Sequence, residues 1–168
     1  MTRTRSTLAV LLVGALLAAA PQAGEPHATS DAVALPPEVL ALLRREMQEI
    51  EKGIGKIGVA LAKGDWTTVH VEAEVIHSSY VMAQALTHEQ REALHAGLPD
   101  GFKRLDARFH GTAKKLSEAA IARDADIAIH HYARLIEGCT ECHARYAQER
   151  FPGFQPPATH VDEVGHEH

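Results

Sequence analysis

Two cysteines and a histidine near the end of the chain have the types and the spacing to do chemistry. Cys139 and Cys142 are the only cysteines among the 168 residues, and His143 follows directly. On a helix, positions i, i+3 and i+4 bring both sulfurs and the imidazole to one side, about a turn apart. Such a set could bond a cofactor covalently, bind a metal or work as a redox dithiol.

The order Cys-x-x-Cys-His is the attachment sequence of a c-type haem. The two thiols form thioether bonds to the vinyl groups, and the imidazole takes one axial site of the iron. Because the vinyl groups stand on adjacent pyrroles, the thiols must lie one helical turn apart and the histidine must follow at once. The sequence therefore predicts one haem c, bound by Cys139, Cys142 and His143.

Three other interpretations of the cysteine pair each need a further assumption. A redox dithiol usually lies at a helix N-terminus in a βαβ setting, whereas this pair falls within the last helix of an all-helical pattern. A zinc site needs two more ligands, which others of the 12 histidines would have to supply. A disulfide between positions i and i+3 would be strained inside a helix.

The first 23 residues have the layout of a secretory signal. Arg3 and Arg5 precede an apolar run from Leu8 to about Ala20, and small residues follow. The run is shorter than the ~20 residues that a membrane-spanning helix needs, so export is favoured over an anchor. We expect a periplasmic protein with no membrane span after cleavage and a flexible leader over residues 24–36.

Apolar side chains then recur at alternating intervals of three and four, which is the spacing of one helix face. The first set predicts a helix from about Pro37 to Lys63, ended by Gly64 and restarted by Asp65. Its members are Leu40, Leu43, Met47, Ile50, Ile54, Ile57 and Leu61. A second helix is expected from about Trp66 to Leu86.

The second half of the domain repeats this pattern. A capping box at Thr87 and Gln90 predicts a short helical turn that ends at the glycines and proline of residues 97–101. Two further helices follow, one from about Phe102 and one that contains Cys139 and Cys142. We therefore predict an all-α fold, an antiparallel up-down-up-down four-helix bundle over residues 37–151, with a flexible tail over 152–168.

A haem iron has a second axial site, and Met47 is a candidate for it. In an up-down-up-down bundle the first and last helices are antiparallel, so Met47 and His143 fall at about the same height. Met82 lies at a comparable height but about 200° round its helix from the inner face. The alternative is that Met47 only fills a gap in the core, and its spacing alone does not decide.

The sequence resembles the class II c-type cytochromes, the cytochrome c-prime superfamily, over about residues 37–150. The resemblance rests on the residues from Cys139 to Tyr146, on the sequence Leu-Pro-Asp-Gly-Phe at 98–102, and on residues 47–66. In the low-spin branch of that superfamily, a methionine early in the first helix is the sixth ligand. The resemblance thus implies that Met47 ligates the iron with His143; in the high-spin branch the site is open and binds nitric oxide or carbon monoxide.

These features together predict a one-electron carrier, not an enzyme, that exchanges electrons with unidentified redox proteins. The alternatives are a five-coordinate gas-binding protein, in which Met47 only lines the site, and a metal-buffering bundle that uses the histidines. His160, His166 and His168, together with nearby carboxylates, could hold a divalent metal, but the absence of periodic spacing favours a solvated tail. Removal of Arg3 and Arg5 takes the formal charge from −5 to −7, which disfavours nucleic-acid binding. The superfamily contains monomers and homodimers, and the sequence does not choose between them.

Overall fold

The computed structural model describes residues 33–81 and 86–154, and every regular element in these ranges is helical. The elements are α1 (Pro37–Lys63), α2 (Trp66–Ser78), α3 (His88–Gly97), α4 (Asp100–Ala122), α5 (Ala125–Tyr146) and a short 3-10 helix (Pro152–Phe154). The prediction of an all-α fold is confirmed for these residues, and they are compatible with a helical bundle. None of the described helices is long and apolar enough to cross a membrane.

The bounds of α1 agree with the prediction from sequence. Pro37 opens the helix, where a missing backbone N–H costs nothing, and Gly64 ends it with a left-handed φ of 67°. Asp65 then caps α2 by accepting a hydrogen bond from the backbone N–H of Thr68 at 3.1 Å. The capping box of α3 is also present, because the Thr87 and Gln90 side chains each accept the other's backbone N–H.

The end of α2 differs from the prediction. The helix stops at Ser78 rather than Leu86, since Ser79 has a φ of 58° and a turn follows. The cause is a tertiary contact: the carboxylate of Glu46 on α1 accepts the backbone N–H groups of Tyr80, at 2.9 Å, and of Val81. Met82, which was expected late in this helix, lies outside the described residues.

The core is built by four helices. α1 packs on α2, α2 on α4 and α4 on α5, and α1 also contacts α5. The side chains that are fully shielded from solvent lie in the C-terminal halves of α1 and α4 and the N-terminal halves of α2 and α5, and include Ile57, Val69, Leu116 and Leu135. Burial of each such aliphatic side chain contributes about 1.5–3 kcal/mol.

Polar contacts link α1 to α2 and α2 to α4. Lys56 of α1 pairs with Glu72 of α2 at 2.8 Å. Glu46, which comes earlier in α1, contacts Tyr80, which comes later than Glu72. His77 contacts the backbone of His110 at 3.2 Å, whereas Ser117, further along α4, contacts the earlier α2 residue His70 at 2.8 Å.

α1 approaches α5 closely at Gly58. The hydroxyl of Tyr132 on α5 donates to the carbonyl of Ile54 at 3.3 Å. A Cβ added at Gly58 would lie 2.5 Å from the Tyr132 hydroxyl oxygen and 3.2 Å from its Cζ. The glycine therefore makes room for the tyrosine, which explains its place inside a helix despite its low helix propensity.

Substitution of Gly58 by alanine should show energetic coupling to Tyr132. In the natural background the added methyl collides with the hydroxyl, which offsets the gain of about 1 kcal/mol in helix propensity. In a Tyr132→Phe background more of that gain should be recovered, so a double-mutant cycle measured by urea unfolding should give a coupling on the order of 1 kcal/mol. A coupling near zero would contradict this helix contact.

Candidate functional site

The last two turns of α5 carry all three residues of the haem-attachment sequence. Asp124 begins this helix by accepting the backbone N–H of Ile127 at 3.0 Å, and the helix continues without a break to Tyr146. Cys139, Cys142 and His143 are each half-buried. Because they occupy helical positions i, i+3 and i+4, the structure brings them to one side of α5, as the sequence predicted.

Both cysteines are free thiols in a shielded environment. Burial raises the pKa of Cys139. Burial, followed by the negative charge of Asp106 and further acidic neighbours, raises the pKa of Cys142 to about 11. Both groups are therefore protonated at neutral pH, opposite to the lowered thiol pKa on which a redox-active dithiol depends.

His143 is held by an aromatic cover that the sequence reading assigned in part to a tail. After α5 the chain turns back, with the backbone N–H of Phe151 donating to the carbonyl of Ala147 at 3.0 Å. The Phe151 ring then stacks on the His143 imidazole with centroids 4.1 Å apart and an interplanar angle of 11°, and Phe154 lies 6.3 Å away. Two phenylalanines three apart were the only signal of this cover.

Burial, and after it the positive charge of Arg150, lowers the pKa of His143 below its usual value. The imidazole is therefore neutral at pH 7, which is the form that coordinates a metal. The Phe151 ring packs against one face of this imidazole.

α4 closes one flank of the site. A Cβ added at Gly138 would lie only 3.1 Å from Cδ2 of Phe109, so this glycine allows α4 and α5 to approach closely beside Cys139. Arg108 of α4 forms an ion pair with Glu141 of α5. The cavity that this flank encloses holds only about 40 Å³, which is too small for a porphyrin.

The far end of the same flank contains an unsatisfied polar group. The Tyr146 hydroxyl is buried against Gly101 at the start of α4 and has no hydrogen-bond partner among the described residues. The Tyr146 ring packs edge-on against Phe102, with centroids 5.3 Å apart. Buried hydroxyls are usually paired, and an additional group bound at this end would supply a partner.

Met47 lies on α1, half-buried and packed against the core. Its helix differs from the prediction in one respect: the buried face is centred on Glu46, Ile50, Gly53 and Ile57 rather than on Met47. The reason is the hydrogen-bonded carboxylate of Glu46, which turns inward to the end of α2. Met47 is thus on the flank of the buried face, and Glu46 is a residue of this region that the sequence reading missed.

The residues present fit a covalently attached haem. At the end of the molecule that contains Cys139, several inner side chains are only half-buried, whereas side chains such as Ile57, Leu116 and Leu135 are fully buried. They are Leu40, Leu43, Met47, Leu105, Phe109, Cys139, Cys142 and Tyr146. Such a group would use a partly uncovered apolar surface, two free thiols and an imidazole, and all three are present at this end.

A site for a bare metal ion is not supported. Within residues 33–81 and 86–154, no three side chains of His, Cys, Asp and Glu gather closely enough to hold one. Zinc coordination by Cys139 and Cys142 therefore lacks its third and fourth ligands in this part of the chain. The tail histidines His160, His166 and His168 lie outside the described residues.

A partly buried histidine stands behind the site on α4. His110 lies 3.4 Å from the Asp106 carboxylate and contacts the carbonyl of Ile76 on α2. Burial by itself would lower the pKa of His110, but the hydrogen bond and charge of Asp106, the Ile76 carbonyl and the charge of Glu46 outweigh it and raise the pKa. Since Asp106 also acts on Cys142, this cluster adjoins the candidate haem site.

The raised pKa of His110 predicts a pH-dependent contribution to stability. A folded-state pKa above the unfolded value of about 6.5 gives a contribution that is complete below that value and is lost as the pH rises through the folded pKa. His110→Gln should therefore destabilise the protein more at about pH 6 than at about pH 9. The measurement is urea unfolding of both proteins across this range.

The matched control is His88→Gln, because His88 also pairs with a carboxylate one turn away, Glu92 at 3.1 Å, but on an exposed surface. Exposed pairs contribute little, so this variant should change stability slightly at every pH. If the two variants had the same pH profile, the assigned role of the Asp106 pair would be wrong.

Comparisons of the chain with protein-family models, with curated proteins and with solved structures found no match.

Proposed function

We propose that this protein is an exported, periplasmic mono-haem cytochrome that carries single electrons between redox proteins. The observation that carries the proposal is the common half-buried face of Cys139, Cys142 and His143, with both thiols free and the imidazole neutral. When bound, a haem iron with both axial sites filled exchanges single electrons without binding a substrate. The protein's part is to hold, shield and tune that group.

We further propose that the helices form an antiparallel up-down-up-down bundle. The order of the contacts supports it. Phe102, at the start of α4, contacts Tyr146, at the end of α5. Arg108, which follows Phe102 in α4, pairs with Glu141, which precedes Tyr146 in α5. The same reversed order holds between α1 and α2 and between α2 and α4, so α1 and α5 would also run in opposite directions.

This arrangement supports Met47 as the second axial ligand. Met47 lies eleven residues before Gly58, and His143 lies eleven residues after Tyr132. Eleven residues make about three helical turns, or roughly 16 Å along the helix axis. Met47 therefore lies on the same face of α1 as Gly58, and His143 lies on the same face of α5 as Tyr132. Because Gly58 and Tyr132 meet, Met47 and His143 would face each other at the same level across the space between α1 and α5.

The expected position of the cofactor follows from the same contacts. Phe109 packs against Gly138 and closes the side of α5 that faces α4. His143 lies on another side of α5, the one from which Tyr132 contacts α1. The side chains of α1 and α5 would therefore enclose the ring between them. Met47 would supply its thioether, which favours ferrous iron, and Phe151 would keep the imidazole of His143 in place.

The proposal is tested on the full-length chain expressed in a bacterium that attaches haem to exported proteins. We expect the purified protein to come from the periplasmic fraction, to keep one haem after denaturation, and to have a mass equal to the processed polypeptide plus that haem. Its ferric spectrum should contain the weak far-red band of methionine ligation. A colourless product with the mass of bare polypeptide would refute the proposal.

The same spectra separate the low-spin carrier from its main alternative. A five-coordinate iron would lack the far-red band and would bind carbon monoxide readily when reduced. With that result the covalent haem would stand, but the protein would be a gas-binding cytochrome and the role of Met47 would be limited to lining the site.

A further inference from the structure

Glu46 is a buried carboxylate that is not among the residues proposed to bind the haem. Only 3% of its surface is exposed, and it directly precedes Met47. A buried charge is costly unless hydrogen bonds compensate it. Here the compensation comes from one turn of chain: the Ser79 hydroxyl donates at 3.3 Å, the Tyr80 backbone N–H at 2.9 Å, and the Val81 backbone N–H also donates.

Arg45, which precedes Glu46, contacts the same turn. The guanidinium of Arg45 lies over the Tyr80 ring, 5.7 Å from its centroid. Two successive residues of α1 therefore contact the turn at the end of α2. The turn itself has a constrained backbone, with Ser79 at a φ of 58°.

These contacts fix the rotation of α1 about its own axis. Apolar packing by residues such as Ile50 tolerates small rotations, whereas hydrogen bonds require a defined distance and angle. Successive residues of an α-helix differ by about 100° in direction, so an anchored Glu46 also sets the direction of Met47. A small rotation of α1 would move the sulfur sideways from the level of His143.

We propose that Glu46 is a positioning residue for Met47: its carboxylate, bound to the backbone of the turn at residues 79–81, keeps the Met47 thioether directed at the iron face opposite His143. This inference rests on the proposed function. Its failure can be distinguished from failure of that function because the wild-type spectrum reports methionine ligation independently of Glu46.

The experiment compares Glu46→Gln with the wild-type holoprotein. Glutamine has a similar shape, but it offers one acceptor oxygen where the carboxylate has two, and its amide N–H would face a backbone donor. We expect the haem to remain attached and the far-ultraviolet circular dichroism to be unchanged. The far-red band should weaken, and the apparent affinity of the reduced protein for carbon monoxide should rise about tenfold, because loss of a hydrogen bond to a charged group releases Met47 more often.

The matched control is Glu49→Gln. Glu49 lies one turn further along α1, at the surface, where it pairs with Lys52 at 2.8 Å. This variant should keep the wild-type band and carbon monoxide affinity. If Glu46→Gln gave the same values as Glu49→Gln while the wild type showed methionine ligation, the carboxylate would have a structural role only and the inference would be overturned.

A milder variant covers the case in which Glu46→Gln does not accumulate as a folded holoprotein. Ser79→Gly removes the hydroxyl donor but keeps a residue that readily adopts a φ of 58°. It should raise the carbon monoxide affinity in the same direction by a smaller factor. An unchanged affinity in this variant would count against the inference in the same way.

Discussion

Replacement of Met47 by alanine is expected to remove the far-red band of the ferric holoprotein and to let the reduced protein bind carbon monoxide. Alanine has no thioether, and its small side chain would leave open the face of the proposed haem iron opposite His143. Loss of the ligand that favours ferrous iron should also lower the reduction potential, by on the order of 100 mV out of the roughly 0.8 V that axial ligands span. Absorption spectra and a redox titration measure both effects.

The control for this experiment is Met82→Leu, since Met82 is the only other methionine besides the initiator. We expect its spectrum and potential to match those of the wild type. If Met82→Leu lost the band while Met47→Ala kept it, the ligand would be Met82. A band that survived in both variants would exclude methionine ligation altogether.

Local sequence signals predicted the helix bounds where the cause is also local. The start of α1 depends on Pro37, its end on Gly64, and the start of α3 on the Thr87 capping box. Each acts through backbone geometry or hydrogen bonds within a few residues. For this reason the spacing of apolar residues and a few punctuating residues were sufficient for most of the helical fold.

The end of α2 could not be predicted in this way. Its residues continue a helix-compatible pattern, but the backbone of Tyr80 and Val81 is bound by Glu46, more than thirty residues earlier. Charged residues are rarely buried, so a glutamate in an amphipathic pattern is naturally assigned to solvent. The rotation of the buried face of α1 was missed for the same reason.

In the candidate site, too, features that depend on neighbouring positions in the chain could be predicted, whereas features that depend on tertiary contacts could not. Cys139, Cys142 and His143 could be proposed as a haem-attachment site from sequence because that chemistry requires neighbouring positions in the chain, and such spacing is visible in a sequence. The cover of His143 by Phe151 was not visible, because it depends on the chain turning back after α5. The height of Met47 could be estimated from the sequence, whereas the direction proposed for it depends on the contact of Gly58 with Tyr132, which only the fold shows.

Replacement of both cysteines by serine is expected to abolish covalent haem attachment completely. The chain has no other thiol, and serine hydroxyls do not form the thioether bonds. The purified double variant should have the mass of the processed polypeptide alone, and its denatured form should retain no haem. Mass spectrometry and a haem stain of a denaturing gel measure this directly.

The matched control is Thr140→Ala, which changes an exposed residue between the two cysteines and leaves both thiols in place. It should carry the normal amount of haem. Retention of covalent haem by the double serine variant would mean that attachment does not use these thiols.

The double variant should also be less stable than the wild-type holoprotein. Without the cofactor, the half-buried apolar side chains near Leu43 and Phe109 would have no additional surface to cover them, whereas the fully buried part of the core, including Leu116 and Leu135, would be unchanged. We therefore expect it to remain helical but to unfold at lower urea concentration. An unchanged urea midpoint would show that the cofactor covers none of this surface, contrary to the position proposed between α1 and α5.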